Sequence, residues 1–171
     1  MSLWKNPLMI LLCAGTMALA ACEDPMTIAS ITGYNHNTEA SGLYVQGFSV
    51  DDAAGSNAEP EAGAGATCCV QIPKRWHPGL QAKVKWSYSR LANDKRPIPP
   101  PREAAVDIPD YNARGPGSLQ VHFYPGEKLK IVISSLGIEH PYYPMSETDK
   151  RPWQTSKERL EYLRANPEQK D

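Results

Sequence analysis

Apolar and polar residues alternate with a period of two over several short stretches, the pattern of strands that rest one face on a core. The clearest is residues 80–88, where Leu80, Ala82, Val84, Trp86 and Tyr88 fall on one face and Gln81, Lys83, Lys85 and Ser87 on the other. Residues 119–124 repeat the pattern, which predicts Leu119, Val121 and Phe123 on a core and Gln120 and His122 in solvent. Pro125-Gly126-Glu127 then predicts a turn into residues 128–136 (KLKIVISSL), so these two stretches make a hairpin. Residues 27–35 (TIASITGYN) and 43–50 (LYVQGFSV) are rich in β-branched and aromatic side chains and predict two strands around a polar turn. Residues 67–72 predict another, short and apolar.

Between these stretches, residues 51–66 (DDAAGSNAEPEAGAGA) lack bulky side chains and predict a loop. Residues 94–117 carry six prolines and predict an extended, loop-like crossing. Thr155, with Glu158 three residues on and Leu160 and Leu163 beyond, predicts a capped helix. No helical period separates the strands, which argues against an α/β fold. The expectation is a mainly β, antiparallel sandwich-like single domain over residues 27–154, with long Pro/Gly-rich loops and a short C-terminal helix and tail over 155–171. Sixteen prolines and twelve glycines in 171 residues support short elements over a helical bundle.

The first residues change the picture. MSLWKNPLMILLCAGTMALAACEDP has one basic residue, Lys5, an apolar run from Leu8 to Met17, and then small side chains, the order of a secretory signal. Leu19-Ala20-Ala21-Cys22 resembles the bacterial lipobox, in which a peptidase cuts before a cysteine already acylated on sulfur. The expectation is a leader over 1–21, a lipid-attached Cys22, and a tether over 22–26. The location implied is the periplasmic side of the envelope, at the outer membrane in preference to the inner one. Without Lys5 the chain has 17 basic and 19 acidic residues, a net charge of −2, which gives no field to recruit nucleic acid.

Cys13 leaves with the leader and Cys22 carries lipid, so Cys68 and Cys69 are the remaining thiols in an oxidising compartment. Their options are a vicinal disulfide or two unbridged, largely buried thiols. A metal site lacks a second Cys or His pair at ligand spacing, and a redox site lacks a C-x-x-C. The histidines form no H-x-x-x-H or H-E-x-x-H pair, and no G-x-S-x-G elbow is present. His36 is expected to bond a turn backbone, His77 to sit exposed in a turn, His122 to face solvent or a partner, and His140 to precede Pro141 in extended chain. The expectation is therefore a protein that is not an enzyme and takes no cofactor or metal.

Gly33-Tyr34-Asn35-His36, Cys68-Cys69-Val70, Ile72-Pro73, Trp76, Pro78-Gly79-Leu80, Val84, Trp86, Val121-His122-Phe123 and Pro125-Gly126 together resemble a family of small bacterial envelope lipoproteins, known mainly as a domain of unknown function. By genetic setting, its members are similar to periplasmic immunity proteins that neutralise phospholipase effectors of type VI secretion. The resemblance implies a lipid-anchored binding protein whose partner is such an effector. It brings no catalytic motif. Interface anchors are commonly Trp, Tyr and Arg, and the proline-stiffened segment 139–153 (EHPYYPMSETDKRPW) holds Tyr142, Tyr143, Arg151 and Trp153. The alternative for these aromatics is packing over the end of the sandwich. Arg96, with Lys95 and Arg102, is a second candidate group. A structural or assembly lipoprotein of the envelope is the alternative function, and an envelope hydrolase a third.

Overall fold

A computed structural model describes residues 25–111 and 117–169. The expected leader and Cys22 lie outside the described residues. Among the described residues, eight strands build two four-stranded sheets: β1 (Met26–Asn35), β2 (Tyr44–Val50), β3 (Ala53–Gly55), β4 (Thr67–Pro73), β5 (Gln81–Ser89), β6 (Arg102–Asp107), β7 (Ser118–Tyr124) and β8 (Lys128–Ser134). One sheet runs β4-β1-β7-β8 and the other β3-β2-β5-β6. The fold is mainly β, with two short helices near the C-terminus, α1 (Glu147–Lys150) and α2 (Lys157–Ala165). One pairing departs from an antiparallel sandwich: β1 and β7 are parallel neighbours.

The sheets face each other through the apolar positions that the period of two marks. Ile31 of β1, Val45, Phe48 and Val50 of β2, Val84 and Trp86 of β5, and Leu119, Val121 and Phe123 of β7 are buried together. Phe48 and Phe123 meet edge to face with ring centroids 5.1 Å apart. The predicted hairpin is β7–β8, turned through Gly126 and Glu127, both at positive φ.

Two expected loops contain strands. Val50 pairs with Ala53 across Asp51-Asp52, both at positive φ, a two-residue turn that short acidic side chains tolerate. Asp51 accepts a hydrogen bond from the Lys83 amide at 2.8 Å, and Asp52 pairs with Lys85 at 2.7 Å. The Pro-rich crossing contains β6, whose six residues pair with β5 from Arg102↔Trp86 to Asp107↔Gln81. It is an edge strand that starts just after Pro99-Pro100-Pro101, a place where proline does not break a ladder. The helix cap also differs by one residue. Ser156, not Thr155, accepts from the Arg159 amide, because the Thr155 hydroxyl is engaged with Lys150 and Glu147.

The largest departure concerns the outer face of the first sheet. Gln120 and His122, expected in solvent, are 3 % and 0 % exposed. The chain after β8 turns back over this face and builds a second, smaller core from Val132, Ile138 and Tyr143, with Tyr34, Leu136, Met145 and Trp153 at its margin. β7 is thus buried on both sides.

Gly33 in β1 is set by the first core: a Cβ there would stand 2.8 Å from Phe48 Cε1. Gly33→Ala is expected to destabilise the fold by about 1–3 kcal/mol, the usual cost of overpacking. Gly47→Ala, where nothing lies within 4 Å of the added methyl, is the control. Denaturant unfolding of both variants checks this, and equal stability of the two would contradict the packing described.

Candidate functional site

Outward-facing Tyr34 on β1, and Gln120, His122 and Tyr124 on β7, form the floor of the covered region, and His36 follows the last residue of β1. A chain of hydrogen bonds ties this floor to its cover. His36 Nδ1 lies 2.5 Å from the Arg151 carbonyl oxygen, and its Nε2 lies 2.9 Å from His122 Nδ1. His122 Nε2 is 2.8 Å from the Tyr143 hydroxyl, which donates to Gln120 Oε1 at 2.9 Å. Gln120 is oriented by its own amide, which donates to the carbonyls of Ser134 and Leu136 at 3.1 and 2.9 Å.

Both ends of this chain are acceptors, the Arg151 carbonyl and Gln120 Oε1. Its four links need four protons, whereas two neutral imidazoles and one phenol supply three. A single added proton would complete it. Burial works the other way. Loss of water holds His36 below its ordinary value, partly offset by the Arg151 carbonyl, and drives His122 down to about 3, with a charged His36 adding to the effect. At neutral pH the pair is therefore uncharged, and the chain is one proton short. Tyr143 is pushed up by burial and stays protonated. Each polar side-chain atom in the chain has a polar partner at 2.5–3.1 Å inside the protein, and three of the four links carry a proton, so what the arrangement does is fix the cover in place.

Aromatic packing reinforces it. His36 stacks on Tyr124 at 4.2 Å between centroids, Tyr34 stacks on His122 at 5.1 Å, and Trp153 meets both Tyr34 and His36 edge to face at 5.3 and 4.8 Å. Lys130 on β8 pairs with Asp149 on α1 at 2.8 Å, and Asp149 is held below the usual carboxylate range chiefly by that lysine. Lys150, 1 % exposed, pairs with Glu147 at 2.7 Å. Beside this cover lies an open groove of about 760 Å3, whose lining includes His36, Glu61, Glu147, Arg151, Trp153 and Leu160.

The residues expected to form a partner surface therefore separate. Arg151, exposed, and Trp153, half-buried, share the groove. Trp153 also takes the packing role weighed as its alternative. Tyr142 is 44 % exposed, whereas Tyr143 is 4 % exposed and belongs to the internal chain. Arg96 is occupied with Asp94 at 2.7 Å and with the Ala40 carbonyl at 2.9 Å, so it fastens a loop. His36 bonds a backbone carbonyl as expected, but one far along the chain rather than in its own turn. Cys68 and Cys69 are joined by a disulfide across a cis peptide, and they form a bulge of two residues opposite Ser30 of β1. Sequence reasoning missed the pairing of His36 with His122. The signal available for it was the aromatic, polar segment 139–153, which could have been matched to the polar face of β7.

Comparison with known proteins gives one result. A family described as protein of unknown function (DUF3304) matches residues 34–131, more than half of the chain. No curated protein and no solved structure matches it.

The directions of the histidine shifts set a pH dependence. In the unfolded chain both imidazoles take protons near pH 6.5, while the fold resists them. Stability from this pair is complete above pH 6.5 and is lost as pH falls from there toward the folded values. Between pH 6.5 and 5, the unfolding free energy should fall by up to ~1.4 kcal/mol per pH unit for each proton resisted. His122→Gln should flatten that slope, measured by denaturant unfolding across pH. An unchanged slope would contradict the burial of the pair.

Proposed function

The chain belongs to the DUF3304 family, and we propose that it is a lipid-anchored periplasmic binding protein that neutralises a type VI secretion phospholipase effector by stoichiometric binding. The finer parts of this reading are the anchor at Cys22, the periplasmic location, the effector as partner and the absence of catalysis. They rest on the lipobox-like Leu19-Ala20-Ala21-Cys22 and on the resemblance of the GYNH and CCV segments to envelope lipoproteins.

One observation in the fold carries the binding role. The groove lined by Arg151 and Trp153 adjoins His36, at the end of β1 opposite Met26, the residue nearest the proposed anchor. Ten residues of strand at about 3.3 Å each put those ends roughly 30 Å apart. A protein tethered at one end would thus offer this groove to the periplasm. Its chemistry suits a protein partner: an exposed guanidinium beside a half-buried indole is the composition of interface anchors. The cover beneath is fixed by the buried chain of hydrogen bonds, so little ordering entropy is lost on binding. An inhibitor of this kind acts by occupying the effector's surface, and it needs no reacting group of its own.

The test is protection. The chain is produced in the periplasm with the candidate phospholipase of the same strain, alongside Cys22→Ala as an unanchored control. Growth rescue and a stoichiometric complex are expected. Arg151→Glu should weaken that complex by about thirtyfold or more, the loss typical of an anchor residue, while leaving stability unchanged, because the Arg151 carbonyl bonded to His36 is retained. A well-expressed protein that gives neither rescue nor complex would sink the immunity role and favour an assembly role in the envelope.

A further inference from the structure

The cover over the first sheet does not reach the start of β1. Met26 and Ile28 project from the start of β1 on the face opposite the core, and they are 47 % and 66 % exposed. The neighbouring strand β4 pairs Met26 with Pro73 and Ile28 with Gln71, and it brings the Cys68–Cys69 bridge opposite Ser30. Immediately after β4 come Lys74 and Arg75, both exposed, and the Lys74 amide donates to the Pro25 carbonyl at 2.7 Å. Two bare aliphatic side chains and a basic pair thus stand together where the chain enters the fold.

We infer that this corner, made of Met26, Ile28, Lys74 and Arg75, is a membrane-contact surface that rests on the phospholipid bilayer. The inference rests on the lipid-anchor reading above and extends it to an orientation. Three residues, Glu23, Asp24 and Pro25, separate Cys22 from Met26. At 3.3–3.6 Å per extended residue, Met26 stays within about 14 Å of the acylated cysteine. The headgroup layer on one side of a bilayer occupies roughly 5–8 Å of that distance. Some face of the domain must therefore touch the surface, and the start of β1 is the part with the least freedom to avoid it. Aliphatic side chains at that depth enter the acyl boundary, while lysine and arginine extend to headgroup phosphates.

The same placement explains why this patch differs from the rest of the sheet. Over β7 the outer face is covered by the chain after β8. At the corner next to the tether a bilayer supplies the cover, and none is needed from the protein.

The experiment uses the acylated protein purified from envelopes and reconstituted in vesicles of phosphatidylethanolamine and phosphatidylglycerol with acyl-brominated lipids. Mass spectrometry of the N-terminal peptide first establishes the acyl chains on Cys22. Tryptophan is then placed at the corner as Ile28→Trp, with Met26→Trp as a second variant in case the first perturbs β1. The control is Ile98→Trp, at an exposed site (52 % exposed) in the loop between β5 and β6. Emission added at residue 28 or 26 should be quenched at least about twofold more than that added at residue 98. Equal quenching at all three positions, on a protein whose Cys22 is acylated, would overturn the contact surface and leave the anchor standing. A Cys22 free of lipid in envelope-purified protein would overturn both.

Discussion

A strand with polar side chains on its outer face can leave them in water or bury them with partners. This protein buries them. Gln120 and His122 of β7 are covered by the segment that follows β8, and each polar side-chain atom they carry lies 2.8–3.1 Å from a polar partner inside. An unmatched buried polar group costs about 1–3 kcal/mol, so the cover and the strand must fit each other group by group. Much else follows from that fit. Tyr143 has to be buried to reach both His122 and Gln120, His36 has to leave β1 at an angle that meets the Arg151 carbonyl, and α1 is docked by the Lys130–Asp149 pair. The result is a sandwich with a third, irregular layer over one sheet.

The layer gives the molecule two unlike ends. At one end, Trp153 and Arg151 stand beside a groove supported from beneath by His36, Tyr34 and Tyr124. At the other, Met26 and Ile28 are bare next to the entry of the chain. β1 links the ends: it runs from the bare corner toward the groove, and β7 joins it as a parallel neighbour from Ser30 onward. Under the proposed function, this polarity separates a membrane-facing end from a partner-facing one.

Much of the first core was legible in the sequence. The alternation from Ala82 to Tyr88 and the turn at Pro125-Gly126-Glu127 specify β5 and the β7–β8 hairpin, because a period of two leaves few choices once one face is buried. β6 was hidden, since Arg102–Asp107 is a short edge strand after three prolines and needs only β5 as a neighbour. β3 was hidden for a related reason: three small residues closed by an Asp-Asp turn carry no apolar signal. The covered face misled in the opposite direction. Polar residues at alternate positions of β7 have the same pattern whether they meet water or a matched partner, and that partner lies in a segment without a period of its own. Arg151 and Trp153 were legible as candidates from residue type, whereas only the fold separates them from Tyr143 and Arg96.

Nuclear magnetic resonance titration of the histidine side-chain nitrogens tests most directly whether this face is covered. His122 should remain neutral well below pH 6.5 and show coupling to His36 through the bond between them. If His122 titrates near 6.5 as a free imidazole does, with no coupling to His36, then the segment after β8 does not cover β7 and the third layer is not part of the fold.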